Sequence, residues 1–123
     1  MPFHYTIDKN RKLVLTTEVG VFTLVDALAH QEQLRWDPNF VPTYRQLMDL
    51  SGVTKIALRP QDLRKLAERP IFAPNTRRAI LSPNEDVSGI AEMFASFREG
   101  FGDRGIRVFR KLDDALAWIG AAK

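Results

Sequence analysis

Cysteine is absent from the 123-residue chain, which excludes a disulfide framework, a thiol nucleophile and cysteine-ligated zinc at once. A chain without thiols fits the cytoplasm, and the protein is expected there. Long apolar runs are missing too: no stretch approaches the roughly 18 consecutive residues that a membrane span requires. The opening MPFHYTIDKNRK has no apolar segment and begins directly on an extended pattern, so no signal peptide is read in it. Histidine is scarce. His4 and His30 have no partners at metal-ligand spacing and read as surface or packing residues. There is no GxSxG elbow and no Gly-rich phosphate loop. Glu85, Asp86, Glu92 and Glu99 are spaced as a solvated helix face, not as a general acid-base pair. No catalytic constellation, metal site or cofactor is expected, and the chain does not read as an enzyme.

What is present is an ordinary globular composition, 45% apolar and 27% charged, enough for one domain over residues 1–123 with its own core. The net charge of +3 is unevenly spread. Between Lys55 and Arg78 seven basic residues face only Asp62 and Glu68, a local excess of +5. A basic patch of Arg59, Arg64, Lys65 and Arg69 belongs to this segment. No aromatic residue is interleaved with its helical members as base stacking would require, so nucleic acid is not an expected partner. The segment reads as the solvated outer face of a short helix.

The hydrophobic pattern alternates strands and helices. HYTID and KLVLTTEV are β-branched and aromatic, parted by a polar turn from Asp8 to Arg11, and predict an antiparallel hairpin. Thr23 is placed to cap a first helix reaching about Trp36, with Leu24, Ala27, Leu28, Gln31 and Leu34 on one face. The strand YRQLMDL leads into a tight turn at Ser51 and Gly52, then a short helix from Pro60 to Pro70 with Leu63, Leu66 and Ala67 inward. RRAILS is a fourth strand, and Ser82 or Asn84 caps a third helix to about Glu99. IRVFR and LDDALAWIG, closed by Gly120, complete the order ββαβαβαβα. The strands after the hairpin should be joined by right-handed crossovers, giving an α/β domain with a mixed five-stranded sheet and four helices.

Several strings, WDPNF, LMDLSGV, LRPQDLRKLAE, SGIAEMF and VFRKLDDALAWIG, define that order. On them the chain resembles the STAS domain of bacterial anti-sigma factor antagonists, and more closely the SpoIIAA-like, STAS/SEC14-type single-domain proteins. The resemblance spans nearly the whole chain and implies architecture rather than activity. In phosphorylatable STAS regulators a serine-rich acceptor segment follows the strand and turn that DLSGVT resembles. Here Ile56 to Pro60 holds no hydroxyl. The resemblance therefore implies a non-catalytic regulatory or protein-interaction module without a phosphoserine switch. Asp49 with Ser82 and Lys111 also resembles part of a receiver domain, but the acidic pair that holds Mg²⁺ is missing. Asp49 is instead expected to bond the turn amides near Ser51 and Gly52.

Two functional classes stay open: the interaction module and, as its alternative, a small-molecule or lipid-binding protein. The alternative places a pocket at the carboxyl ends of the strands, near Asp49, Ser51, Ser82, Asn84 and the third helix. The third helix also carries Val87, Ile90, Met93, Phe94, Phe97 and Phe101. Most of this stripe covers the sheet, and Gly89 within it suggests close packing. The alternative for Met93, Phe97 and Phe101 is that they run past the core and line an apolar pocket or a dimer contact.

Overall fold

The computed structural model describes residues 3–121. Its elements are β1 (Phe3–Asp8), β2 (Leu13–Thr23), α1 (Leu24–Arg35), β3 (Arg45–Ala57), α2 (Pro60–Ala67), β4 (Arg78–Leu81), α3 (Glu85–Gly100), β5 (Ile106–Phe109) and α4 (Leu112–Ile119). The strands stand in one sheet in chain order, β1-β2-β3-β4-β5. β1 lies antiparallel to β2, and each later strand lies parallel to its predecessor, as expected of a hairpin followed by helical connections.

Local chemistry sets the element ends. In the hairpin, Asp8 Oδ1 accepts from Arg11 N at 3.0 Å, and Lys12 completes the reversal with a positive φ of 54°. Thr23 Oγ1 accepts from Asp26 N at 3.2 Å, while Asp26 Oδ2 accepts from Thr23 N at 3.1 Å. That reciprocal pair satisfies two otherwise unpaired donors at the start of α1. Asn84 Oδ1 does the same for α3, accepting from Asp86 N and Val87 N. Gly120, at φ 75°, closes α4 in the left-handed conformation that costs glycine least.

The sheet carries helices on both faces. α4 covers one face, where Ala115 and Ile119 pack on Leu13, Leu47, Ala79 and Leu81. The other face is covered by α1, α2 and α3. There Ala27, Leu66, Val87 and Ala91 meet Leu50, Val53, Ile56 and Ile80, and Leu34 meets Val14 and Phe72. The period of two along each strand accounts for the division: up to Leu50, odd positions of β3 and β4 face α4 and even positions face the three-helix side, and the bulges farther along β3 bring Val53 to the three-helix side as well.

Two expectations need correction. Ser51 and Gly52 do not form a tight turn: β3 continues to Ala57 and stays paired with β2 up to Thr23. Register shifts between Thr17 and Val19 and between Gly20 and Val21 each absorb an additional β3 residue. Such bulges bend a strand without ending it. Gly52 fits beneath the Val19 side chain, where an added Cβ would come within 2.8 Å of Val19 Cγ1. Gly89 is not a close-packing position either, because no atom lies within 4 Å of where its Cβ would stand.

Candidate functional site

The residues expected to form a pocket are not brought together. Asp49 and Ser82 belong to opposite faces of the sheet, since Asp49 is in phase with Leu47 on the α4 side, whereas Ser82 is in phase with Ile80 beneath α3. Asp49 Oδ1 accepts from Ser51 N at 2.9 Å, a local bond of the kind expected of it. Ser51 itself is exposed. Ser82 is fully buried; its hydroxyl donates to Asn84 O at 3.2 Å, and its carbonyl accepts from Ser88 Oγ at 2.8 Å. Asn84 is occupied as the cap of α3. None of the four lines the cleft described below.

The basic residues are also dispersed. Arg59 is drawn back onto Asp62 by Nε and Nη2 bonds of 3.1 and 3.0 Å. Arg64 lies over the Phe97 ring, 5.2 Å from its centroid. Arg69 turns to α1, where its Nε donates to Gln31 Oε1 at 2.8 Å and its Nη2 lies 3.5 Å from Glu32. Lys65 is exposed. On α3, Met93 and Phe101 are exposed at 39% and 56%, and Phe97 between them is half-buried.

The site that the structure does assemble lies on the three-helix face. Thr16 on β2, Gln46 on β3 and Arg78 on β4 occupy adjacent strands with their side chains buried beneath the helices. Gln46 Nε2 donates to Thr16 Oγ1 at 3.1 Å, and Thr16 Oγ1 is 3.0 Å from His30 Nε2 on α1. Phe3 and Tyr5 meet the His30 ring edge-on. Burial in these apolar surroundings pushes the His30 pKa down to about 4, so the ring is neutral near pH 7. Glu18, two residues along β2 from Thr16, is buried and its carboxyl oxygens have no hydrogen-bond partner among the described residues. Burial, with Asp26 nearby, pushes its pKa up to about 8.

Farther along the row stands a charged hub. Asp103 accepts from Arg98 Nε and Nη2 at 3.1 and 3.0 Å and from the amides of Asn75 and Gly105 at 3.0 Å each. It also pairs with Arg78 Nη2. Burial alone would raise its pKa, but the bonds from Arg78, Asn75 and Gly105 outweigh that and hold it at about 2. Gly105 is required here: an added Cβ would stand 2.0 Å from Thr76 O. Arg98 Nη1 reaches Ala67 O at 2.5 Å and so ties the hub to the end of α2.

Between α1 and α2 on one side and α3 on the other, a cleft opens over this row. It has two lobes of about 90 Å³ each that share His30, Gln31, Met48, Ile80 and Phe94. The first lobe is floored by Gln46 and Arg78 and walled by Arg69, Phe72 and Arg98. The second is apolar, with Phe22, Leu50, Ile56, Leu58, Leu63 and Ile90. A concave, mostly apolar site with a few convergent polar groups is the usual form of a small-molecule site. The sequence carried a partial signal for it, because Thr16 and Glu18 fall in phase with the inward Val14. Nothing local in the sequence marked Arg98, which reaches Ala67 of α2, or Asp103, whose partners include Arg78 of β4 and Asn75 in the loop before it.

Among the described residues, no cluster of His, Asp and Glu is arranged to hold a metal ion, and no helix is long and apolar enough to cross a membrane. The mixed sheet opened by a hairpin, with its four helices, defines a SpoIIAA-like α/β fold. The chain is similar in structure to an uncharacterised protein of the DUF3478 family with a SpoIIAA-like fold from Shewanella loihica PV-4. The match has a TM-score of 0.58 at 19% identity and covers 95% of this chain and 93% of that one. No protein-family model and no curated protein matches the chain.

Proposed function

We propose that this single domain is a non-catalytic regulatory module that works by protein contact, first of all with a second copy of itself, and that it is not switched by phosphoserine. The observation that carries the reading is the outer face of α3. Met93, Phe97 and Phe101 recur at every fourth residue and so share one side of the helix. Met93 and Phe101 are exposed at 39% and 56%, and the Arg64 guanidinium covers part of Phe97 from α2. Apolar groups of this size set together on a surface mark an interaction site more often than single exposed residues do. The Arg64 guanidinium over Phe97 sets a positive charge at the edge of this patch, which would fix the orientation of two copies more than add affinity. The missing hydroxyl between Ile56 and Pro60 supports the second half of the reading.

Sedimentation velocity at tens of micromolar tests it. Wild type is expected to sediment as a dimer, and Phe101→Asp as a folded monomer whose melting temperature, unlike that of wild type, does not depend on protein concentration, because Phe101 caps α3 outside the core. Removing about 1.5 to 3 kcal/mol of buried phenylalanine from each subunit weakens the dimer at least tenfold. A wild-type monomer contradicts the reading.

A further inference from the structure

The cleft holds a charge imbalance that no acidic side chain lining it corrects; the Phe72 ring, its centroid 5.4 Å from the Arg78 guanidinium, offsets only part of it. Arg69, Arg78 and Arg98 line its first lobe, and no acidic residue does. Asp103 lies behind that lobe and is shared between Arg78 and Arg98, whose side chains are only 6% and 7% exposed. Two buried guanidinium groups on one carboxylate leave one positive charge over in the interior, a costly arrangement unless an anion completes it. Glu18 and Asp62, the other buried acids on this face, line neither lobe, and Asp62 is already paired with Arg59.

The donors point the same way. Arg98 has committed Nε and Nη2 to Asp103 and Nη1 to Ala67 O. Arg78 has committed Nε to Thr76 O and Nη2 to Asp103, but its Nη1 has no hydrogen-bond partner among the described residues. At the rim, Arg69 uses Nε and Nη2 on α1. A guanidinium with a donor to spare, at the floor of a cleft whose other end is apolar, selects for a ligand with one acidic head and a hydrocarbon body. The charge count selects for a single negative charge, since a dianion would replace one excess charge by another. Each lobe of about 90 Å³ has room for on the order of six water-sized groups, which limits the body to a short chain or a single ring.

We propose that the cleft is a binding site for small monocarboxylates, with the carboxylate at Arg78 and Arg69 and the apolar body between Met48, Ile80, Ile90 and Phe94. This site is separate from the outer face of α3 and does not depend on self-association. The methionines report on it: Met48 lines both lobes, whereas Met93 is exposed on α3 and lines neither. Protein labelled with ¹³C at the methionine methyl groups is titrated with octanoate, 1-octanol and octyl phosphate. Octanoate is expected to shift the Met48 signal saturably and leave Met93 in place. Octanol, which has the same body and no charge, should bind at least about tenfold more weakly, the worth of one charge-assisted hydrogen bond, and octyl phosphate should bind no better than octanoate. Arg69→Gln, a change at the half-exposed rim, should weaken octanoate several-fold and leave octanol unchanged. The proposal is overturned if Met48 does not respond at millimolar octanoate, or if Met93 moves in parallel with it. Octanol binding as tightly as octanoate, or octyl phosphate binding more tightly, overturns it equally, and these wild-type comparisons stand whether or not the variant folds.

Discussion

The two faces of the sheet are built differently. Beneath α4, Leu13, Leu47, Ala79, Leu81, Ala115 and Ile119 make a closed apolar layer with Phe109, Leu116 and Trp118 at its margin. Beneath α1, α2 and α3, an apolar cluster shares the interior with Thr16, Glu18, His30, Gln46, Arg78, Arg98 and Asp103, and it borders the cleft. A layer of the first kind stabilises through area removed from water and carries no chemistry. The second kind gives up stability to bury polar groups, and it sets donors and charge where a small molecule can reach them. The α4 face is thus scaffold, and the three-helix face is where buried polar and charged groups are concentrated.

That contrast breaks most severely at Asp103. Asp103→Asn keeps the shape of the hub but leaves two buried guanidinium groups without a countercharge, which should cost about 3–5 kcal/mol in chemical denaturation. A loss below about 1 kcal/mol would show that solvent already screens Arg78 and Arg98 and that this face is not dry. The pH dependence follows the same group. Its folded pKa of about 2 lies below the ordinary 3.8, so its contribution is present above pH 3.8 and is lost as pH falls toward 2.

Glu18 and His30 sharpen the contrast from the other direction. Glu18 is raised from 4.5 to about 8, so the folded state holds a proton that the unfolded chain has released. Stability tied to it is complete below pH 4.5 and is lost as pH rises to 8. His30 is lowered from 6.5 to about 4, so its contribution is complete above pH 6.5 and is lost as pH falls to 4. Between pH 4.5 and 6.5 the two slopes oppose each other, and stability should be nearly level there. Glu18→Gln retains the shape and removes the titration. It should match wild type near pH 4.5 and exceed it by on the order of 2–4 kcal/mol at pH 8. A difference independent of pH would contradict burial of this carboxyl.

Much of the scaffold was legible in the sequence. The hairpin, the alternation after it and the caps at Thr23, Asn84 and Gly120 all depend on bonds made within a few residues, so pattern and residue type were enough. β3 was harder. Ser-Gly after an aspartate reads as a turn, and only pairing with β2 keeps residues 51–57 extended through two bulges. The three-helix face was the least legible. Gln46 looks like a polar neighbour of Leu47 until Thr16 is beside it, and Asp103 looks like a loop residue until Arg78 arrives from a strand 25 positions away. Ser82 and Asn84 were conspicuous because they sit at element ends, and Asp49 because its strand reads as ending there although it runs on to Ala57; the bonds of all three side chains proved to be local ones.

The division of the molecule into a closed face and a face with reachable interior space can be measured directly with xenon, which enters apolar cavities and shifts the methyl groups that line them. In methyl spectra recorded under xenon pressure, Met48, Ile80 and Ile90 should shift saturably, while Leu13, Ala115 and Ile119 under α4 should not move. Equal shifts on both faces, or none at Ile80 and Ile90, would contradict the account.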